Sequence, residues 1–210
     1  MNSPLDADAL MRLAPVIPVL TVERLEDAEP LALALVAGGL TVLEVTLRTP
    51  VAIEAIALMA KAAPNAVVGA GTVLNPADYD RAAKAGAKFI VSPGLTQPVI
   101  DATRANPMPL LAGVATASDL MRGLDAGLNR FKFFPAETSG GAPALKAFQG
   151  PFGDCRFCPT GGIAAQTAPT YLALPNVLCV GGAWVAPAEA VKAGDWGRIT
   201  ALATAAAALR

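Results

Sequence analysis

The run Asn129-Arg-Phe-Lys-Phe-Phe-Pro-Ala-Glu137 sets one amine, Lys132, among phenylalanines. Aromatic, extended stretches pack into cores, and lysine is among the residues least often buried. Alternate side chains of a strand share a face, so Lys132 and Phe134 point one way while Phe131 and Phe133 point the other. If the first face is an interior, burial disfavours the ammonium form, and a nearby cation such as Arg48 disfavours it further. A neutral amine is a nucleophile, the starting point of Schiff-base chemistry. The plainer alternative is a lysine whose stem is buried and whose ammonium reaches water at the strand end. The other five lysines, Lys61, Lys84, Lys88, Lys146 and Lys192, fall in helical or boundary contexts and read as solvated.

A second stretch, Thr41-Val-Leu-Glu-Val-Thr-Leu-Arg48, sorts by the same alternation. Leu43, Val45 and Leu47 form an apolar face, and Glu44, Thr46 and Arg48 share the other. A buried ion pair would explain that pattern structurally. Chemically, an inward carboxylate such as Glu44 can shuttle protons, and Arg48 can grip a substrate carboxylate with two parallel hydrogen bonds. Thr72, in Gly69-Ala-Gly-Thr-Val73, adds a hydroxyl. A lysine imine beside a carboxylate clamp suits a 2-oxo acid, and the matching reaction is aldol cleavage or addition through an enamine.

Composition removes competing chemistries. The chain has no histidine, which eliminates Ser-His-Asp and Cys-His nucleophile systems and imidazole-held zinc. Cys155-Arg-Phe-Cys158 matches a C-x-x-C spacing but runs into a strand, where a separation of three puts the side chains on opposite faces. With Cys179 the cysteine count is odd, so reduced structural thiols are expected, with no metal. The net charge is −1 with acids and bases interspersed, so no basic stripe is available for nucleic acid. Although 54% of residues are hydrophobic and mean hydropathy is +0.49, no stretch approaches the roughly eighteen uninterrupted apolar residues of a membrane span. The start is acidic and has no basic segment leading into an apolar one. We therefore expect no signal peptide, no membrane partner and a cytoplasmic protein.

Something must hold these side chains together. Eight short apolar runs qualify as strands: 15–20, 41–48, 66–73, 87–94, 109–116, 130–136, 156–162 and 177–184. Helical patterns separate them, several ending at glycine stops (Gly38-Gly39, Gly86, Gly127). Strands alternating with helices imply parallel βαβ units, and eight such units imply a closed (β/α)8 TIM barrel of class α/β. An open doubly wound sheet is the alternative, but no G-x-G-x-x-G follows the first strand. All 210 residues read as one barrel domain, with flanking helices at 1–13 and 188–210. Barrel sites form at the C-terminal strand ends, where Arg48 lies, and loops after strands seven and eight often cradle phosphate. Gly161-Gly162 and Gly181-Gly182 stand at those two positions.

At this point the chain resembles a known family. The segments LEVTLRT, VGAGTVLNP, VSPGLTQP, FKFFPAE, RFCPTGGI and LCVGGAWVAP, spread over most of the chain, are similar to those of the 2-keto-3-deoxy-6-phosphogluconate (KDPG) and 4-hydroxy-2-oxoglutarate (KHG) aldolases. The resemblance implies a metal-independent class I aldolase, a homotrimer of barrels, that releases pyruvate from a 2-keto-3-deoxy acid. No cofactor is implied beyond the covalent Schiff base with Lys132. By motif, Lys132 forms the imine, Glu44 is the acid and base, and Arg48 and Thr72 bind the pyruvyl carboxylate. Pro93 and Phe134 line the pocket. Thr160, Gly161 and Gly162 border the substrate tail, with Gly182 beside them at the phosphate. The family usually carries serine or threonine where this chain has Ala183, so a hydroxyl expected near the phosphate is absent. A phosphosugar isomerase or epimerase would leave Lys132 unexplained, and an idle barrel scaffold would leave the intact Glu44, Arg48, Thr72 and Lys132 set unexplained.

Overall fold

Each expected strand forms, trimmed within its expected bounds. A computed structural model of the chain describes residues 5–209. The strands are β1 (Val16–Leu20), β2 (Val42–Thr46), β3 (Val67–Gly71), β4 (Ile90–Ser92), β5 (Leu110–Val114), β6 (Arg130–Phe133), β7 (Arg156–Pro159) and β8 (Val180–Gly182). They lie in the order β7-β6-β5-β4-β3-β2-β1-β8, and the pairings between named strands are parallel. Single parallel bridges, Phe157 to Val177 and Thr160 to Gly181, join the two ends. The result is the expected (β/α)8 barrel rather than an open doubly wound sheet.

The helices are α1 (Ala7–Arg12), α2 (Ala28–Ala37), α3 (Ala52–Ala62), α4 (Pro76–Lys84), α5 (Gln97–Ala105), α6 (Ala117–Asp125), α7 (Gly141–Phe148), α8 (Ala168–Leu172), α9 (Ala188–Ala193) and α10 (Trp196–Ala207). Their starts are written locally. Asn75 accepts the Asp78 N–H at 2.9 Å to open α4, with Pro76 in its first turn. Thr116 and Asp119 cap one another at the start of α6. Gly39, Gly86 and Gly127 take the left-handed φ values that let a helix stop (91°, 96° and 82°). Among the described residues no helix is long and apolar enough to cross a membrane.

Alternation divides the buried residues into two sets. Leu43, Val45, Phe131, Phe133 and Phe157 face the helices. Phe133 meets Phe148 of α7 edge-on at 6.2 Å, which holds β6 firmly from outside. The inner set is Ile17, Val42, Phe89, Val91, Leu111 and Cys158, joined by Leu10 and Met11 of α1. Asp8 of α1 pairs with Arg130, the first residue of β6, so the short flanking helix plugs the N-terminal mouth. Burying its Leu10 and Met11 contributes about 1.5–3 kcal/mol each. With that end filled by hydrocarbon, the buried polar side chains Glu44, Thr46, Ser92, Lys132 and Thr160 lie further along the strands. The C-x-x-C pair behaves as its spacing requires: Cys155 packs in the outer set, Cys158 in the inner one, and both are free.

Candidate active site

Lys132 is the third residue of β6, paired with Gly113 of β5 and Cys158 of β7. It is 4% exposed, whereas the other five lysines are exposed. Its Nζ lies 3.3 Å from Oε1 of Glu44, itself 3% exposed, and 5.1 Å from the centre of the Phe134 ring. The two residues are 88 apart in sequence and meet only because the sheet closes. Their separation exceeds the 2.7–2.9 Å of a strong ammonium–carboxylate bond. It is still short enough for a proton to pass directly or through one water. Thr46, the next inward residue of β2, donates its hydroxyl to the Leu20 carbonyl at 2.8 Å and ties β2 to β1.

Strand glycines make close approaches near this pair possible. A Cβ on Gly71 would fall on the Glu44 carboxylate, and a Cβ on Gly113 would fall on the Pro93 carbonyl. A glycine inside a strand marks such a close approach, and both were legible as glycines in strand patterns, though neither stood among the expected site residues. Other strand glycines do the same: the missing Cβ of Gly181 leaves room for Thr160, that of Gly69 for Phe89 and that of Gly182 for Trp184.

Arg48 departs from its expected place. β2 ends at Thr46, and Arg48 is exposed in the turn that follows, so strand alternation does not orient it. Beside the strand ends lies a cavity of about 190 Å³ whose walls include Arg48, Lys132, Phe134, Thr160, Gly161, Gly162, Gly182 and Ala183. Val19 and Trp184, which motif reading missed, also line it. Thr72 and Pro93 are not on its wall. Thr72 follows Gly71 at the end of β3 with φ 59°, a left-handed conformation unusual for a β-branched residue. Pro93 follows β4, against Gly113.

The glycine turn after β7 is braced. Gly161 and Gly162 have φ of 103° and 80°, and the Glu137 N–H donates to the Gly161 carbonyl at 3.1 Å. The Glu137 carboxylate in turn accepts the Tyr171 hydroxyl of α8 at 2.6 Å. Burial pushes the Tyr171 hydroxyl above the ordinary tyrosine range, and the Glu137 carboxylate adds to that. Among the described residues, no three side chains of the Cys, Asp and Glu types converge as a metal-binding group.

A family model described as KDPG and KHG aldolase matches residues 7–202. The chain belongs to the KDPG and KHG aldolase family. It is 54% identical over 197 residues to the KHG/KDPG aldolase of Escherichia coli (strain K12), covering 94% of this chain and 92% of that protein. Its fold matches the KDPG aldolase of Legionella pneumophila, solved with pyruvate captured at low pH as a covalent carbinolamine intermediate. The TM-score is 0.95 at 50% identity, with 97% and 99% of the two chains covered. It also matches the 2-keto-3-deoxy-6-phosphogluconate aldolase of Zymomonas mobilis ZM4 with 3-phosphoglycerate, with TM-score 0.93, 57% identity, and 99% and 98% coverage. Family membership and barrel fold thus agree with the expectation drawn from the motifs.

Proposed function

We propose that this family member is a class I aldolase that cleaves 2-keto-3-deoxy-6-phosphogluconate to pyruvate and glyceraldehyde 3-phosphate, and 4-hydroxy-2-oxoglutarate to pyruvate and glyoxylate. The observation that carries this reading is the buried Lys132 amine held 3.3 Å from the buried Glu44 carboxylate. The covalent carbinolamine in the Legionella relative and the dual name of the E. coli relative support it.

In this mechanism the Lys132 amine adds to the C2 carbonyl, and the carbinolamine loses water to give an iminium. Glu44, directly or through a water, removes the C4 hydroxyl proton. The C3–C4 bond then breaks, its electron pair flows to the iminium as an enamine, and the aldehyde leaves. The enamine carbon takes up a proton, and water releases pyruvate and the free amine. Arg48, at the cavity wall, and Thr72 hold the pyruvyl carboxylate. Phe134 and Pro93 confine the pyruvyl half. Thr160 and the turn at Gly161 and Gly162, with Gly182 and Ala183 opposite, receive the tail and its phosphate. The lysine imine serves as the electron sink, so no cofactor or metal is required. The same reading takes residues 1–210 as one barrel domain acting in the cytoplasm as a homotrimer, with small molecules as its substrates.

The test is to add pyruvate and borohydride and then map the modified residue by mass spectrometry. A reduced pyruvyl adduct on Lys132 supports the aldolase. No adduct anywhere would favour an isomerase, an epimerase or an idle scaffold, none of which needs a neutral lysine.

A further inference from the structure

A second cavity, of about 510 Å³, adjoins the one beside Lys132, and Val19 and Ala183 line both. It lies between the loop after β1 and the segment that leads from β8 into α9. Ala186, Ala188 and Val191 give it apolar walls. Its charged side chains are already spoken for. Lys192 Nζ pairs with Glu23 at 3.2 Å, and Arg24 grips Asp27 with two hydrogen bonds of 2.7 and 2.9 Å. These four charges sum to zero, so the cavity offers an anion no net attraction. A neutral, carbon-rich group has no need of one. Both residues that the cavities share have apolar side chains, and position 183 brings no hydroxyl that would demand a polar partner.

We propose that this second cavity is a subsite for the tail of an unphosphorylated, apolar aldehyde, so that the protein joins pyruvate to extended neutral aldehydes. The inference rests on the aldolase reading above. In the addition direction the enamine carbon attacks the aldehyde carbonyl carbon and a C–C bond forms. The carbonyl π pair becomes the alkoxide, which takes its proton from the acid form of Glu44, and water then hydrolyses the iminium. The tail passes over Ala183 and Val19 and lies against Ala186, Ala188 and Val191. Each methylene it buries there contributes about 0.8 kcal/mol, which is about fourfold in kcat/KM.

The experiment measures aldol addition of pyruvate to an unbranched series from propanal to heptanal, using the full chain. Ala188→Phe and Ala186→Leu fill the second cavity at positions that do not line the first. Wild type should gain about fourfold per added carbon over several carbons. Each variant should flatten that gain while keeping the propanal rate and the borohydride-trapped pyruvyl adduct. A flat wild-type series, or a gain that survives both filled variants, overturns the subsite while trapping leaves the aldolase reading standing. Absence of trapping in wild type overturns both.

Discussion

Gly71 of β3 lies directly against the carboxylate of Glu44 on β2, with no room for a Cβ between them. The glycine therefore sets where the carboxylate points, and its own φ is not in the left-handed region. Gly71→Ala should be tolerated by the backbone but must push the Glu44 head away from Lys132. Turnover should fall by roughly a hundredfold, the scale of a lost acid–base group. Thermal unfolding should shift by only the cost of a local overpacking, about 1–3 kcal/mol. Turnover retained at the wild-type level would show that Glu44 is free to repack.

In the proposed mechanism, removing the amine removes the covalent step. Lys132→Ala should abolish both cleavage and borohydride trapping. Lys132→Arg should fail equally, because a guanidinium stays protonated and is no nucleophile. Trapping that moved to another lysine in either variant would reassign the imine.

Glu44→Gln keeps the shape of the side chain and its contact with Gly71 but cannot accept a proton. Turnover should drop roughly a hundredfold or more, while a folded protein is recovered. Comparing it with Gly71→Ala separates loss of the proton carrier from its displacement. Near-normal turnover in Glu44→Gln would hand the role to bound water.

Ala183→Ser adds a hydroxyl at the wall of the cavity beside Lys132. A hydrogen bond to a charged phosphate is worth about 1.5–3 kcal/mol when fully made, or roughly tenfold to a hundredfold in affinity. The Michaelis constant for the phosphorylated substrate should fall, and that for 4-hydroxy-2-oxoglutarate should hardly change. An equal response of both substrates would place position 183 away from the phosphate.

The α1 plug should loosen in acid. The hydrogen bond from Arg12 holds the Asp8 carboxyl below its ordinary value of 3.8, partial burial opposes this, and the hydrogen bond from Arg130 adds to the lowering. A carboxyl lowered in the folded state stabilises the fold above its unfolded value, and that contribution disappears as pH falls through the folded value. Asp8→Asn should therefore lower the thermal midpoint at neutral pH, and that difference should shrink as the pH is taken down through the carboxylate range. A constant difference across that range would show that the ion pairs of Asp8 contribute nothing to stability.

Strand alternation is local, so it was legible in the sequence. It put Glu44, Thr46 and Lys132 inside and Leu43, Val45, Phe131 and Phe133 outside, where the barrel has them. It also separated Cys155 from Cys158. The count of apolar runs set the number of strands, and lysine in an aromatic strand marked the position proposed to form the imine because burial of that residue type needs a reason. What the sequence could not decide depends on closure and register. Glu44 meets Lys132 across 88 residues, and it leans on Gly71 although its register partner on β3 is Gly69. Arg48 was assigned to a strand face, but β2 stops at Thr46, so the turn rather than the pleat carries it to the cavity. That α1 plugs one mouth, and that two cavities meet at Val19 and Ala183, follow from how curved layers pack. Periodicity tells which way a side chain points, and only the closed barrel tells what stands opposite it.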